Sequence, residues 1–211
     1  MRSPKPAKNG RKAPVQRRAA ATVEAIVEAA ARILESRGYA GYNTNDIARV
    51  AGISVGSLYQ YFANKDAITR ALLLRELRSL TNDIADVLSE QSGLEALDRL
   101  IDVAVVHQLE RAALGRVLEV EEARLSPDTM LTEERERLVT LVRSVFDGIS
   151  TASVDMGHAA DDVFAMVRGM VDSAGLAGET DTVGLSVRVK RAVFGYLMWE
   201  GSTVVAARFA T

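Results

Sequence analysis

Proline placement constrains the fold of this chain more than any other feature. Of four prolines, Pro4, Pro6 and Pro14 lie in the first fourteen residues, and only Pro127 interrupts the remainder. Proline removes a backbone donor and clashes with the preceding helical turn, so the remainder is free to run as long helices. Apolar spacing agrees: Val23, Ile26, Val27, Ala30, Ile33 and Leu34 recur at helical intervals between Ala19 and Arg37. Gly38 ends that helix. Two short helical pieces follow, Thr44–Ala51 and Val55–Phe62, and Asn64 caps a long helix reaching about Leu88. Ser92 and Glu95 read as a capping box opening a helix to about Ala113, and Gly115 marks a break before a short helix to Arg124. Ser126-Pro127 reads as a cap with proline in the first turn, starting a helix to about Gly148. Two further helices, roughly 159–177 and 182–208, flank a turn at 178–181. With no alternating strand pattern and no internal repeat, the expectation is an all-α fold of about nine helices.

Composition sets the class. The chain has 211 residues, 48% of them hydrophobic, and a mean hydropathy near zero. That is enough apolar material for one large helical unit or two packed domains. No apolar run approaches the roughly 18 residues of a membrane-spanning helix, and no apolar stretch follows the basic N-terminus as in a secretory signal. Cysteine is absent, which excludes disulfides and thiolate metal sites and fits a reducing cytoplasm. The net charge of -2 conceals a split: residues 1–66 carry 11 Lys/Arg against 5 Asp/Glu, and the rest carry 15 against 23. A first third at +6 and a remainder at -8 suggest that the N-terminal part meets a polyanion. Residues 1–18 hold seven basic side chains and no acid, and read as a disordered basic arm.

Residues 44–66 read TNDIARVAGISVGSLYQYFANKD. Ile47, Ala48, Ala51, Ile53, Leu58 and Phe62 can form one apolar seam against the helix before Gly38. Gly52 supplies the sharp turn, and Ser54 is placed to cap the second piece. Two short helices joined by a three-residue turn make a helix-turn-helix, whose second helix can enter a major groove. Val55, Gly56, Ser57, Tyr59, Gln60 and Tyr61 are its exposed positions, with Tyr59 balanced between packing and groove contact.

This segment, with the helix before it (residues 24 to 68), resembles the DNA-binding signature of the TetR family of bacterial regulators. The resemblance implies a helix-turn-helix domain at 19–66, and a helical domain at 67–211 that binds a small-molecule effector and dimerises. It also implies that Thr44, Tyr61 and Lys65 contact phosphates, while Ser54, Val55, Gly56, Ser57, Tyr59 and Gln60 face the groove. The second helix has no Arg or Lys, so the bidentate arginine–guanine contact is missing. Specificity then falls to Gln60, thymine methyl contacts and DNA shape, with the basic arm available for a minor groove. The partner expected is double-stranded operator DNA, palindromic because the protein is dimeric.

For the C-terminal two-thirds the residues say less. The helix from 94 to 113 is apolar nearly all round, as in the middle of a bundle, with His107 and Gln108 as polar insertions. Leu97, Ile101, His107, Gln108, Phe146, Met166 and Met170 are the candidate effector contacts, though residues at such spacing also serve as ordinary core. Residues 160–177 and 182–208 are the expected dimer interface. Rival classes have thin support. An enzyme would have two histidines, no cysteine and no phosphate-cradling glycine loop to work with, and His107 and Glu110 do not make the paired Glu-x-x-His motifs of a diiron bundle. No cofactor or metal is expected. A non-specific architectural nucleic-acid protein rests on the basic arm alone. The expectation is therefore a cytoplasmic, homodimeric repressor released from its operator by an effector.

Overall fold

The structure, a computed structural model, describes residues 12–149 and 156–198. Among these residues every regular element is helical. The α-helices are α1 (Lys12–Arg37), α2 (Thr44–Val50), α3 (Val55–Tyr61), α4 (Lys65–Glu90), α5 (Gly93–Glu110), α6 (Ala112–Arg124), α7 (Thr129–Ser144), α8 (Met156–Leu176) and α9 (Thr182–Leu197). Single 3-10 turns stand at Tyr39–Gly41 and Phe146–Gly148. No helix among the described residues is long and apolar enough to cross a membrane.

The chain divides into two compact units. The first holds the chain through Leu73 together with Val117–Leu125, and the second holds Leu74–Arg116 and the chain from Ser126 onward. Two of the three boundaries fall inside helices, α4 and α6, and the third follows α6 at Leu125–Ser126, whereas the expected division lay at residue 66 and left 117–125 with the larger part.

In the first unit α1 packs on α2, and α2 on α3. Ile26, Ala30, Ile33 and Leu34 of α1 are buried, as are Ile47, Ala48, Leu58 and Phe62, while Ala51 and Ile53 are half-buried. Helix α1 starts at Lys12, so Lys12 to Arg18 of the expected arm are helical; Arg2, Lys5, Lys8 and Arg11 lie outside the described residues.

The second unit is built on α5, α8 and α9, which pack pairwise. Ala96, Leu97, Leu100, Ile101 and Val105 give α5 its buried stripe, while Val106 is exposed, so α5 is amphipathic and not apolar all round. Helix α9 offers Leu185, Val189, Val193 and Leu197, four apart and all buried. On the polar side of the same pair of helices, Lys190 donates to Asp98 at 2.7 Å and to Asp102 at 2.9 Å, and Ser186 donates to Asp102. Burial works to raise the Asp102 pKa, but the Ser186 and Lys190 hydrogen bonds outweigh it and hold the carboxyl below its usual range.

Several helix starts differ from expectation. Ser92 precedes α5 but its hydroxyl makes no capping bond, because Gly93 takes φ +61° and turns the chain as the helix begins. Helix α7 begins at Thr129, two residues later than the Ser126-Pro127 cap implies, since Asp128 accepts the Leu131 N–H at 3.1 Å. The break before α6 is at Arg111, and Gly115 lies within the helix.

Candidate nucleic-acid interface

Local chemistry fixes the turn between α2 and α3. Asn43 caps α2 by accepting the Asp46 N–H at 2.9 Å, and Ser54 caps α3 by accepting the Ser57 N–H at 3.0 Å. Between them Gly52 has φ +71°, and nothing stands within 4 Å of where its Cβ would be. Helix α3 then divides cleanly. Leu58 and Phe62, four apart, point into the core, while Gly56, Tyr59 and Gln60 share the exposed side. Tyr59 is 51% exposed and Tyr61 39%. Val55 and Ser57 are half-buried, and the Ser57 hydroxyl lies 2.8 Å from that of Ser54. A Cβ on Gly56 would meet only Ser54 Oγ, at 3.9 Å, so a flat surface can approach the backbone there.

Two hydroxyl groups tie the helices together at this face: Thr44 Oγ1 and Tyr59 Oη are 3.2 Å apart. Each carries one proton and their mutual bond uses one, so the pair keeps an O–H for an external acceptor. Tyr59 therefore both packs against Thr44 and faces outward.

Lys65, the first residue of α4, is half-buried. Its ammonium donates to the Tyr42 carbonyl at 3.4 Å and stands 3.7 Å from the Tyr39 ring centroid and 5.5 Å from that of Tyr42. Asn64 caps α4 through the Ala67 N–H at 2.8 Å. Next to Lys65, Asp66 accepts from Arg124 Nη2 at 2.6 Å; that hydrogen bond outweighs a small desolvation cost and holds the Asp66 carboxyl below its usual range. Arg124 also donates from Nε to Glu121 at 3.0 Å, and Glu121 is only 3% exposed. Burial pushes the Tyr42 phenol up to about 12, with Thr69 Oγ1 lying 3.2 Å from its oxygen. Sequence reading missed Tyr39, Tyr42, Glu121 and Arg124. Arg124 stands 58 residues from Asp66, so no local pattern announces the cluster.

Thr44 on α2 thus meets Tyr59 on α3, Ser54 meets Ser57 across the start of α3, and Val55, Gly56, Gln60 and Tyr61 follow on the same short helix, while Lys65 opens α4. The effector candidates divide: five of the seven join one packed hydrophobic cluster, and His107 and Gln108 lie outside it. Leu97, Ile101 and Phe146 are buried in the packed core of the second unit, and Met166 and Met170 are half-buried against it. Gln108 packs against Gly175, 3.6 Å from where a Cβ would stand. His107 alone lines an open cleft of about 700 Å³ between α4 and α5. Its walls include Arg75, Glu76, Asp83, Arg99, Asp102 and Arg111. Among the described residues no group of three His, Asp or Glu side chains is arranged to hold a metal ion.

A capped, exposed helix presented across a tight turn from another short helix defines a helix-turn-helix protein. Residues 26–72 match the model of the tetR family of bacterial regulatory proteins. An uncharacterised HTH-type transcriptional regulator of Mycobacterium tuberculosis is 37% identical over 68 residues, which cover 32% of this chain and 34% of that protein. The chain thus spans about a third of the length of that relative. The probable HTH-type transcriptional regulator ArpR of Pseudomonas putida is 27% identical over 178 residues, covering 74% of this chain and 84% of that one. A tetR-family regulatory protein from Rhodococcus RHA1 shares the fold with a TM-score of 0.69 at 17% identity, covering 85% of this chain and 98% of that one. The match to the tetR family covers residues 26–72, and the likeness to the Rhodococcus protein shows a shared fold.

Proposed function

We propose that this protein is a cytoplasmic, sequence-specific transcriptional regulator, a homodimeric repressor that a small-molecule effector releases from its operator. The observation that carries the reading is the exposed side of α3, Gly56, Tyr59 and Gln60, beside the Thr44–Tyr59 hydroxyl pair and Lys65. Thr44, Tyr61 and Lys65 contact phosphates. Lys65 has three N–H donors and spends one on the Tyr42 carbonyl, leaving two for a phosphate. Ser54, Val55, Gly56, Ser57, Tyr59 and Gln60 face the major groove, where Gln60 can pair with adenine. The relatives it matches are described as transcriptional regulators, not enzymes.

The homodimer forms through the outer faces of α8 and α9, the described parts of residues 160–177 and 182–208; residues 199–208 lie outside the described residues. Two copies of α3 about 34–36 Å apart, or a multiple of that, demand a palindromic operator. The effector enters the second unit, with His107 in the α4–α5 cleft the most accessible of the candidate contacts.

Footprinting on the DNA upstream of its own gene, followed by titration of two variants, tests the reading. Lys65→Ala should weaken binding to all duplexes alike and lower the slope of log affinity against log salt by about 0.9 per contact. Gln60→Ala should instead change preference among operator variants. A specificity ratio well below about 10³ over random DNA would mean a non-specific architectural protein instead.

A further inference from the structure

We propose that the rings of Tyr39 and Tyr42 form a cation platform that sets the position of Lys65, which makes Tyr39 a positioning residue for DNA binding. The inference rests on the reading of Lys65 as a phosphate contact. The two rings are 6.0 Å apart and tilted by 43°, so both turn electron-rich faces toward the same ammonium. Lys65 Nζ lies 3.7 Å from the Tyr39 centroid, well inside the roughly 6 Å range over which a ring attracts a cation. A lysine on an open surface loses much rotamer freedom when it binds a phosphate. Here that freedom is already spent in the free protein, and the contact is preorganised.

A carboxylate beside Lys65 threatens this arrangement, and Arg124 answers it. Asp66 follows Lys65 in the chain and, left uncompensated, its negative charge would repel the phosphate that Lys65 binds. Arg124 engages Asp66 at 2.6 Å and the buried Glu121 at 3.0 Å, while its guanidinium carbon stands 5.4 Å from the same Tyr39 ring. The two carboxylates absorb the charge of Arg124 and limit its repulsion of Lys65. Lys65 is left with two aromatic faces and one carbonyl, none of which neutralises it.

The probe is a labelled duplex of random sequence at low salt, bound by the full chain, because a phosphate contact is indifferent to sequence. Tyr39→Phe keeps the ring and should bind as the parent does. Tyr39→Leu should weaken binding about two- to fivefold per subunit. In a Lys65→Ala background Tyr39→Leu should cost nothing further, which is the coupling a double-mutant cycle reads. Phenylalanines of increasing fluorination at position 39 should lower affinity stepwise at nearly constant shape. Independently of DNA, the Lys65 ε-methylene protons should resonate upfield in the parent and Tyr39→Phe proteins and lose that shift in Tyr39→Leu. Equal losses from Tyr39→Leu with and without Lys65, or indifference to fluorination, would overturn the positioning role while leaving the phosphate reading intact. If Lys65→Ala left binding unchanged, the phosphate reading itself would fail and take the positioning role with it.

Discussion

Gly52 shows how a single backbone angle controls the interface. At φ +71° an L side chain crowds its own carbonyl, yet the space around the missing Cβ is empty. The cost of Gly52→Ala is thus backbone strain with no added clash, about 1–2 kcal/mol. Chemical denaturation should show that loss. Gly52→Asn should lose less, since asparagine tolerates the left-handed region better. Equal loss from both would show that something other than φ governs the site. Other single residues here carry two duties at once. Tyr59 bonds to Thr44 and also faces outward, so balancing it between packing and contact posed a choice the fold does not make. Lys65 and Asp66 are neighbours in sequence but face different partners, one aromatic and one cationic.

At the scale of helices, what a sequence reveals depends on how local the determining contacts are. The turn at Gly52, the caps at Ser54 and Asn64, and the end of α1 at Gly38 are settled within four residues, and all were readable. The start of α7 was not, because Ser126 and Asp128 are both good caps and only the path of the chain selects Asp128. The Tyr39–Lys65–Arg124 cluster needs α6 brought back to the first unit, which no periodicity records. Apolar residues on α9 pose the same difficulty in another form, because core and interface valines look alike in a string. Val189 and Val193, inside the expected 182–208 interface, are 0% exposed and pack within the second unit, whereas Val183 is 74% and Val187 43% exposed. A charge at Val189 buries an unpaired ion and should unfold the protein. Val187→Asp should leave helicity and melting nearly unchanged and, if α9 pairs two subunits, shift the protein toward monomer in sedimentation. A Val187→Asp protein that stays dimeric at micromolar concentration would move the interface elsewhere.

For the whole molecule the question is how occupancy of one unit can alter the other. Each unit has its own buried core, and the chain passes between them three times: inside α4 at Leu73–Leu74, inside α6 at Arg116–Val117, and just after α6 at Leu125–Ser126. The two helical passages end near the same chemistry in the first unit: α4 begins with Lys65 and Asp66, and α6 finishes with Arg124 paired to Asp66. An effector controls the protein only through its differential affinity for two states of the chain. Lowering operator affinity 100-fold requires about 2.7 kcal/mol of coupling, and reciprocity obliges the operator to weaken effector binding by the same factor. Breaking the α6 link with Arg124→Met should shrink that factor, because one of the two helical passages then loses its bond to Asp66. The measurement is effector affinity with and without an operator fragment, by calorimetry, for the parent and the Arg124→Met protein. A 100-fold difference in the parent and a smaller one in the variant would place the coupling partly in α6. The same factor in both would take the Arg124–Asp66 bond out of the coupling, and no difference in the parent would mean that the ligand binds without controlling the DNA-reading unit.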